Sequence, residues 1–269
     1  MNQPGAENAA GAATWAVVTA LAEAAQGGGF STLGASREGR PILGRLFGGP
    51  FATAGGGSVA SGSAAPAELP KLLLVGGVHG DEPSSVEALL QLAKRFSSAE
   101  IALPPTQLMV VPALNPDGLT LGQKNASSDV DLNRNFPARN FTVVHAPGYD
   151  PGPAPLSEPE TAWLARLIEE KNVRAVVAVH APFGCINFDG PAAGWAAAVA
   201  HASGWLVREN IGYPTPGSLG SWLGVDRNLP ILTVELPAGP LRDFQAAAAA
   251  ALEHACAVAP VAEFSVAVK

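Results

Sequence analysis

Four short, largely apolar runs constrain this fold most: Leu72 to Val75, Leu108 to Val111, Val173 to Val179 and Ile231 to Val234. Each is too short for a stable helix and lacks the wet-face alternation of a half-exposed strand. Each therefore predicts a strand covered on both sides. Helical patterns lie between them. From Ser84 to Phe96, Val86, Leu89, Leu90 and Ala93 recur at helical spacing. Ser157-Glu158-Pro159-Glu160 reads as a capping box, with Pro159 in the first turn, opening a helix through Leu164, Leu167 and Ile168. Ala192 to Ala202 and the Ala-rich stretch after Asp243 predict two more helices. Strands alternating with helices imply an α/β fold: a single domain with a mostly parallel, mixed, twisted sheet and helices on both faces.

The 269 residues suit one such domain spanning 1–269, with a sizeable core. Ahead of the regular pattern, Thr14 to Gln26 predicts a helix stopped by Gly27-Gly28-Gly29. Thr32 to Phe47 predicts strand material around a tight Arg37-Glu38-Gly39-Arg40 turn. Residues 52–67 are almost all Gly, Ser, Ala and Pro, which cannot bury a face, and predict a flexible surface loop inserted between strands.

A net charge of −7 argues against a nucleic-acid partner, which needs clustered Lys and Arg. The N-terminus has no positive region ahead of an apolar stretch, and no apolar run is long enough to span a bilayer. The expectation is a soluble, cytoplasmic protein with no membrane partner; the sequence sets no oligomeric state. Cys185 and Cys256 are the only cysteines, which is no disulfide framework.

Three polar residues follow directly on apolar runs: His79, His180 and Glu235. In open α/β sheets, sites form outside the carboxyl ends of strands. Burying each alone would cost several kcal/mol, on the order of 2–7 for a neutral polar group. Gathered around one cation they satisfy each other. His79-Gly80-Asp81-Glu82 adds a carboxylate three positions after the imidazole. By itself that spacing also describes a surface turn, and His180 by itself a hydrogen-bonded histidine at a strand end. Together, His79, Glu82 and His180 make a two-histidine, one-carboxylate set that suits catalytic zinc with an open position for water. Glu235 is then the candidate general base.

A second cluster is Asp129-Val-Asp131-Leu-Asn133-Arg134-Asn135. Arg134 and Asn133 suit a substrate carboxylate, and Asp131 suits the far nitrogen of a metal-bound histidine. A polar loop with an Asx turn has the same spacing. Asn115-Pro116-Asp117-Gly118 reads as a turn after a strand. His145, His201 and His254 stand outside the pattern. Cys185, close after His180, reads as a small buried hydrophobe or a wall of the site.

The order Arg37-Glu-Gly-Arg40, His79-Gly-Asp-Glu82, Asn115-Pro-Asp-Gly118, Asp131-Leu-Asn-Arg-Asn135, His180 and Glu235 resembles the zinc carboxypeptidase family. Two segments, Pro155-Leu-Ser-Glu-Pro-Glu-Thr161 and Tyr213-Pro-Thr-Pro-Gly-Ser-Leu-Gly-Ser-Trp222, resemble its bacterial murein peptide amidase branch. The resemblance implies a zinc carboxypeptidase-like (phosphorylase/hydrolase-like) fold. It implies one Zn2+ per chain on His79, Glu82 and His180, with Glu235 as base. Asn133 and Arg134 would hold a terminal carboxylate, and Tyr213 would close over the substrate. The implied partner is a small peptide, the murein tripeptide, cut at its γ-D-glutamyl–diaminopimelate bond. Where the family carries an arginine for the carbonyl oxyanion, this chain has Lys124, a point charge without the guanidinium fork. The same core also suits an acyl-amino-acid deacylase of the succinylglutamate desuccinylase or aspartoacylase kind, or a silent muropeptide binder.

Overall fold

The structure, a computed structural model, describes residues 4–27, 29–48 and 71–261. The predicted loop at 52–67 lies outside these residues. In chain order the elements are α1 (Pro4–Gly27), β1 (Ser31–Ala35), β2 (Pro41–Phe47), β3 (Lys71–Val75), α2 (Pro83–Ser97), β4 (Gln107–Val111), α3 (Pro116–Leu121), α4 (Pro159–Glu170), β5 (Val173–His180), β6 (Phe183–Asp189), α5 (Ala193–Ser203), β7 (Leu206–Val207), β8 (Ile231–Pro237) and α6 (Gln245–Ala257). The eight strands form one sheet in the order β1-β2-β4-β3-β5-β8-β6-β7.

The four apolar runs are the parallel centre of that sheet, β4-β3-β5-β8. Antiparallel partners flank it, β2 on β4 and β6 on β8. The centre is apolar throughout because each face has its own core. Leu72 and Leu74 of β3, Val177 and Val179 of β5, and Leu232 and Val234 of β8 pack against α2, α5 and α6. Leu73 and Val75, Val176 and Ala178, and Ile231 face the opposite way, toward Trp163, Leu164 and Ile168 of α4 and toward Phe136 and Trp222. The fold is a single α/β domain with a mixed sheet between helices, as expected.

Three local expectations change. The first helix starts at Pro4, earlier than Thr14, because the Ala-rich stretch before it also favours helix. Asn115-Pro116-Asp117-Gly118 is the first turn of α3: the Asn115 side chain caps Gly118 N–H, and Pro116 occupies the position where a missing N–H costs nothing. The Ser157–Glu160 capping box does not form. The N-cap of α4 is Glu158, with no side-chain cap, and its carboxylate instead accepts from Arg37 and Ser128. Asn135, from a distant loop, accepts from Glu158 N–H at 3.2 Å and from the Thr161 hydroxyl at 2.5 Å.

Candidate active site

Parallel strands β3, β5 and β8 end side by side, and their carboxyl ends carry the site. His180 is the last residue of β5, and the register pairs it with Glu235 of β8. β3 continues through Gly76-Gly77-Val78 to His79, and Glu82 is the N-cap of α2. Gly80 between them is needed for close approach: a Cβ there would lie 2.0 Å from the Gly118 carbonyl carbon in α3.

The Glu82 carboxylate sits between the two imidazoles. Its Oε1 is 2.7 Å from His79 Nδ1, and its Oε2 is 3.1 Å from His180 Nδ1. Two nitrogens and a carboxylate oxygen thus lie within 4.8 Å of one another, the one group among the described residues able to hold a metal in this way. The other nitrogen of His79, Nε2, is 3.2 Å from Asp131 Oδ1. That contact fixes the ring and leaves Nδ1 for a metal, so the donor set fits zinc. Without an ion, burial favours neutral His79, but the Glu82 and Asp131 carboxylates outweigh it and raise its pKa to about 10. Burial pushes Glu82 up, but the two histidines outweigh it and hold its pKa at about 2.

Glu235 is buried, and its Oε2 has no hydrogen-bond partner among the described residues. Burial raises its pKa, and the Glu82 charge adds to this against the pull of the two histidines. A base with an unoccupied lone pair therefore faces the same cavity as His79, His180 and Arg134.

Asp131 divides its carboxylate. Oδ1 takes His79 and the Asn133 N–H, and Oδ2 accepts from Lys124 Nζ at 2.7 Å. Lys124 also donates to the Gly148 carbonyl at 2.9 Å, and its ammonium lies 3.7 Å from the centre of the Tyr149 ring. Its charge is thus joined to His79 and Glu82 through Asp131. Arg134 is buried, its Nη1 donates to the Asn133 carbonyl, and its guanidinium lies 5.2 Å from the centre of the same tyrosine ring. No carboxylate pairs with Arg134 among the described residues. Asn133 accepts from Leu219 N–H, and Phe136 N–H donates to the Gly217 carbonyl. These bonds dock the Tyr213–Trp222 segment against Asn133–Phe136. Tyr213 stands between Tyr149 and Phe183, at 6.0 and 6.4 Å between ring centres.

Tyr149, which sequence reasoning missed, lies against both Lys124 and Arg134. Nothing local marks it, since Gly148-Tyr149-Asp150-Pro151-Gly152 reads as a turn. Cys185 lies buried on β6 beside Glu235, a small apolar neighbour. His145, His201 and His254 join no metal-binding group among the described residues.

The zinc carboxypeptidase signature matches residues 29–190, from the end of α1 through β6. Murein peptide amidase A of Escherichia coli K12 is 38% identical over 183 residues, covering 61% of this chain and 70% of that protein. The Vibrio campbellii protein of the same name is 34% identical over 186 residues, covering 61% and 68%. The crystal structure of murein-tripeptide amidase from Escherichia coli O157 superposes with a TM-score of 0.61 at 29% identity, covering 84% of this chain and 92% of that one. The matched residues 29–190 include His79, Glu82 and His180, and by these likenesses the chain belongs to the zinc carboxypeptidase family.

Proposed function

We propose that this hydrolase cuts the γ-D-glutamyl–diaminopimelate bond of murein tripeptide, a cytoplasmic step in peptidoglycan recycling, with one zinc on His79, Glu82 and His180. The observation that carries the reading is the pairing of His180 with Glu235 on adjacent strands, in one cavity with a buried guanidinium that has no carboxylate partner among the described residues. Zinc held by His79, Glu82 and His180 would supply Lewis acidity, polarising a carbonyl and lowering the pKa of water. Glu235 takes the proton of the attacking water on its unpartnered oxygen and delivers it to the leaving amine. Arg134 and Asn133 orient the terminal residue by its free α-carboxylate, and Tyr213 closes the mouth over it. Asp131 holds the His79 ring. Lys124 supplies positive charge at the carbonyl side, held near it by Tyr149.

The test is to incubate the zinc-loaded protein with L-Ala-γ-D-Glu-diaminopimelate, with and without a chelator. Release of diaminopimelate that the chelator abolishes is expected. No release from the tripeptide, together with cleavage of succinyl- or acetyl-amino acids, would replace this reading by a deacylase.

A further inference from the structure

A buried guanidinium is costly unless something holds it, and a guanidinium that serves an incoming anion must be held without being neutralised. Arg134 is buried and has no carboxylate partner among the described residues. Its Nη1 donates to the carbonyl of Asn133, its neighbour in the chain, and that bond alone leaves a long side chain poorly fixed. The further contact is with Tyr149, whose ring centre lies 5.2 Å from the guanidinium carbon. Lys124 uses the same ring, with its ammonium 3.7 Å from the centre.

The face of an aromatic ring attracts cations through its quadrupole and carries no net charge. A carboxylate in its place would hold Arg134 more strongly, but would cancel the charge and compete with a substrate anion. Asp131 shows the contrast, since its oxygens are already engaged by His79 and Lys124. The ring is also well placed. Tyr149 N–H donates to the Ala146 carbonyl at 3.1 Å, and the Gly148 carbonyl accepts from Lys124 at 2.9 Å. On the other side, Asp131 N–H donates to the Asp150 carbonyl at 2.7 Å, and Asn135 Nδ2 to the Pro151 carbonyl at 2.7 Å. The turn that carries the ring is therefore bonded to both ends of segment 131–135, which carries Arg134. Tyr149 is half-buried, and the Tyr213 ring lies 6.0 Å from it between centres. Partial withdrawal from water strengthens a cation–π contact.

We propose that Tyr149 is a positioning residue for this reaction: its ring is a neutral seat that holds Arg134, beside Lys124, ready for the free α-carboxylate of the substrate. The inference rests on the reading of Arg134 as holder of that carboxylate. Without the ring, part of the energy of the Arg134–carboxylate contact goes into ordering the guanidinium. A peptide whose terminus is amidated makes no such ion pair, so it loses less. Tyr149 thereby sets how strongly the free terminus is preferred.

The measurement is the ratio of kcat/KM for γ-D-Glu-diaminopimelate with its terminal α-carboxylate free and amidated. Wild type is expected to favour the free acid. Tyr149→Leu keeps apolar bulk but removes the ring face, and is expected to lower the ratio by about 10-fold. Tyr149→Phe keeps the face and is expected to hold the ratio within about 3-fold of wild type. A purely structural role would lower both peptides together and leave the ratio unchanged. An unchanged ratio in Tyr149→Leu therefore overturns the inference, as does a Tyr149→Phe protein that behaves like Tyr149→Leu, which would give the effect to the hydroxyl. Wild type that treats both peptides alike removes Arg134 from terminus recognition, and the inference with it. Calorimetric binding of the two peptides to zinc-loaded Glu235→Gln protein, with Tyr149 intact or replaced by Leu, reads the same preference without turnover. A preference that falls with the ring, in a protein that cleaves no γ-linked peptide when Glu235 is intact, sustains Tyr149 and removes only the amidase reading.

Discussion

His79 carries the sharpest consequence at the scale of single residues. In the ion-free protein it is held protonated, since the flanking carboxylates of Glu82 and Asp131 outweigh burial and raise its pKa to about 10. A metal on Nδ1 must displace that proton. Below that pKa, zinc affinity is therefore expected to rise with pH, roughly tenfold per unit for one proton released. Above it the dependence flattens. Competition titrations with a zinc chelator between pH 6 and 9 measure this, and a flat profile would mean that Nδ1 carries no proton to lose. Arg134 leads to a second expectation. A buried guanidinium without a carboxylate partner suits a bidentate contact with a free α-carboxylate. Amidating the terminus of the tripeptide is expected to cost about 2–5 kcal/mol of transition-state binding. Equal kcat/KM for the free and amidated peptides would remove Arg134 from recognition of the terminus.

Between elements, the buried Asp117 joins the first hairpin to α3. It accepts from the Ser36 hydroxyl at 2.7 Å, from Arg40 Nη1 at 2.7 Å and from Glu38 N–H at 3.0 Å. Asp117→Ala would leave these donors unpaired and is expected to destabilise the protein by about 2–3 kcal/mol, read by urea denaturation at neutral pH. Burial raises the Asp117 pKa, but the hydrogen bonds from Ser36, Arg40 and Glu38 outweigh it and hold it below the usual carboxylate value. A depressed folded-state pKa contributes stability that is present above the unfolded-state value and is lost as pH falls through the folded one. The gap between wild type and Asp117→Ala should therefore be full at pH 7 and shrink below the usual carboxylate range. A gap that widens with acid would contradict the assignment. Both ends of this link stand in the sequence as turn motifs, but their pairing does not, because it joins residues 77 apart. The same limit governs what was legible elsewhere. β3, β4, β5 and β8 could be read because burial on both faces demands unbroken apolar runs. β6, with the sequence FGCINFD, has one polar-lined face on the cavity and so shows no such run. Strand ends announced His79, His180 and Glu235. Tyr149 acquires meaning only from packing across loops. The α4 cap was misread because Asn135, far off in sequence, donates to the Ser157 hydroxyl that a local pattern assigned to capping.

For the whole molecule, the candidate metal site would be a clasp between central strands. His79 extends β3, His180 ends β5, and Glu82 opens α2, so a cation on all three ties the sheet to the helix packed on it. The unfolded chain holds no such arrangement, and zinc bound to the folded form alone stabilises by mass action. At a free concentration about 100-fold above Kd the gain is about 2.7 kcal/mol. For a domain of this size each kcal/mol raises Tm by about 2–4 °C, so zinc should raise Tm by about 5–10 °C over chelator-treated protein. The variants divide according to what each residue touches. His79→Ala and His180→Ala remove a ligand and should abolish most of the shift. Glu235→Gln preserves shape and leaves the ligands intact, so it should keep the shift while hydrolysis falls by at least about 10²-fold. Calorimetric scans of the four proteins with and without zinc make the comparison. An undiminished zinc shift in His79→Ala would mean that the cation sits elsewhere. A Glu235→Gln protein that loses the shift would make Glu235 a ligand, and the proton transfer assigned to it would then belong to another group.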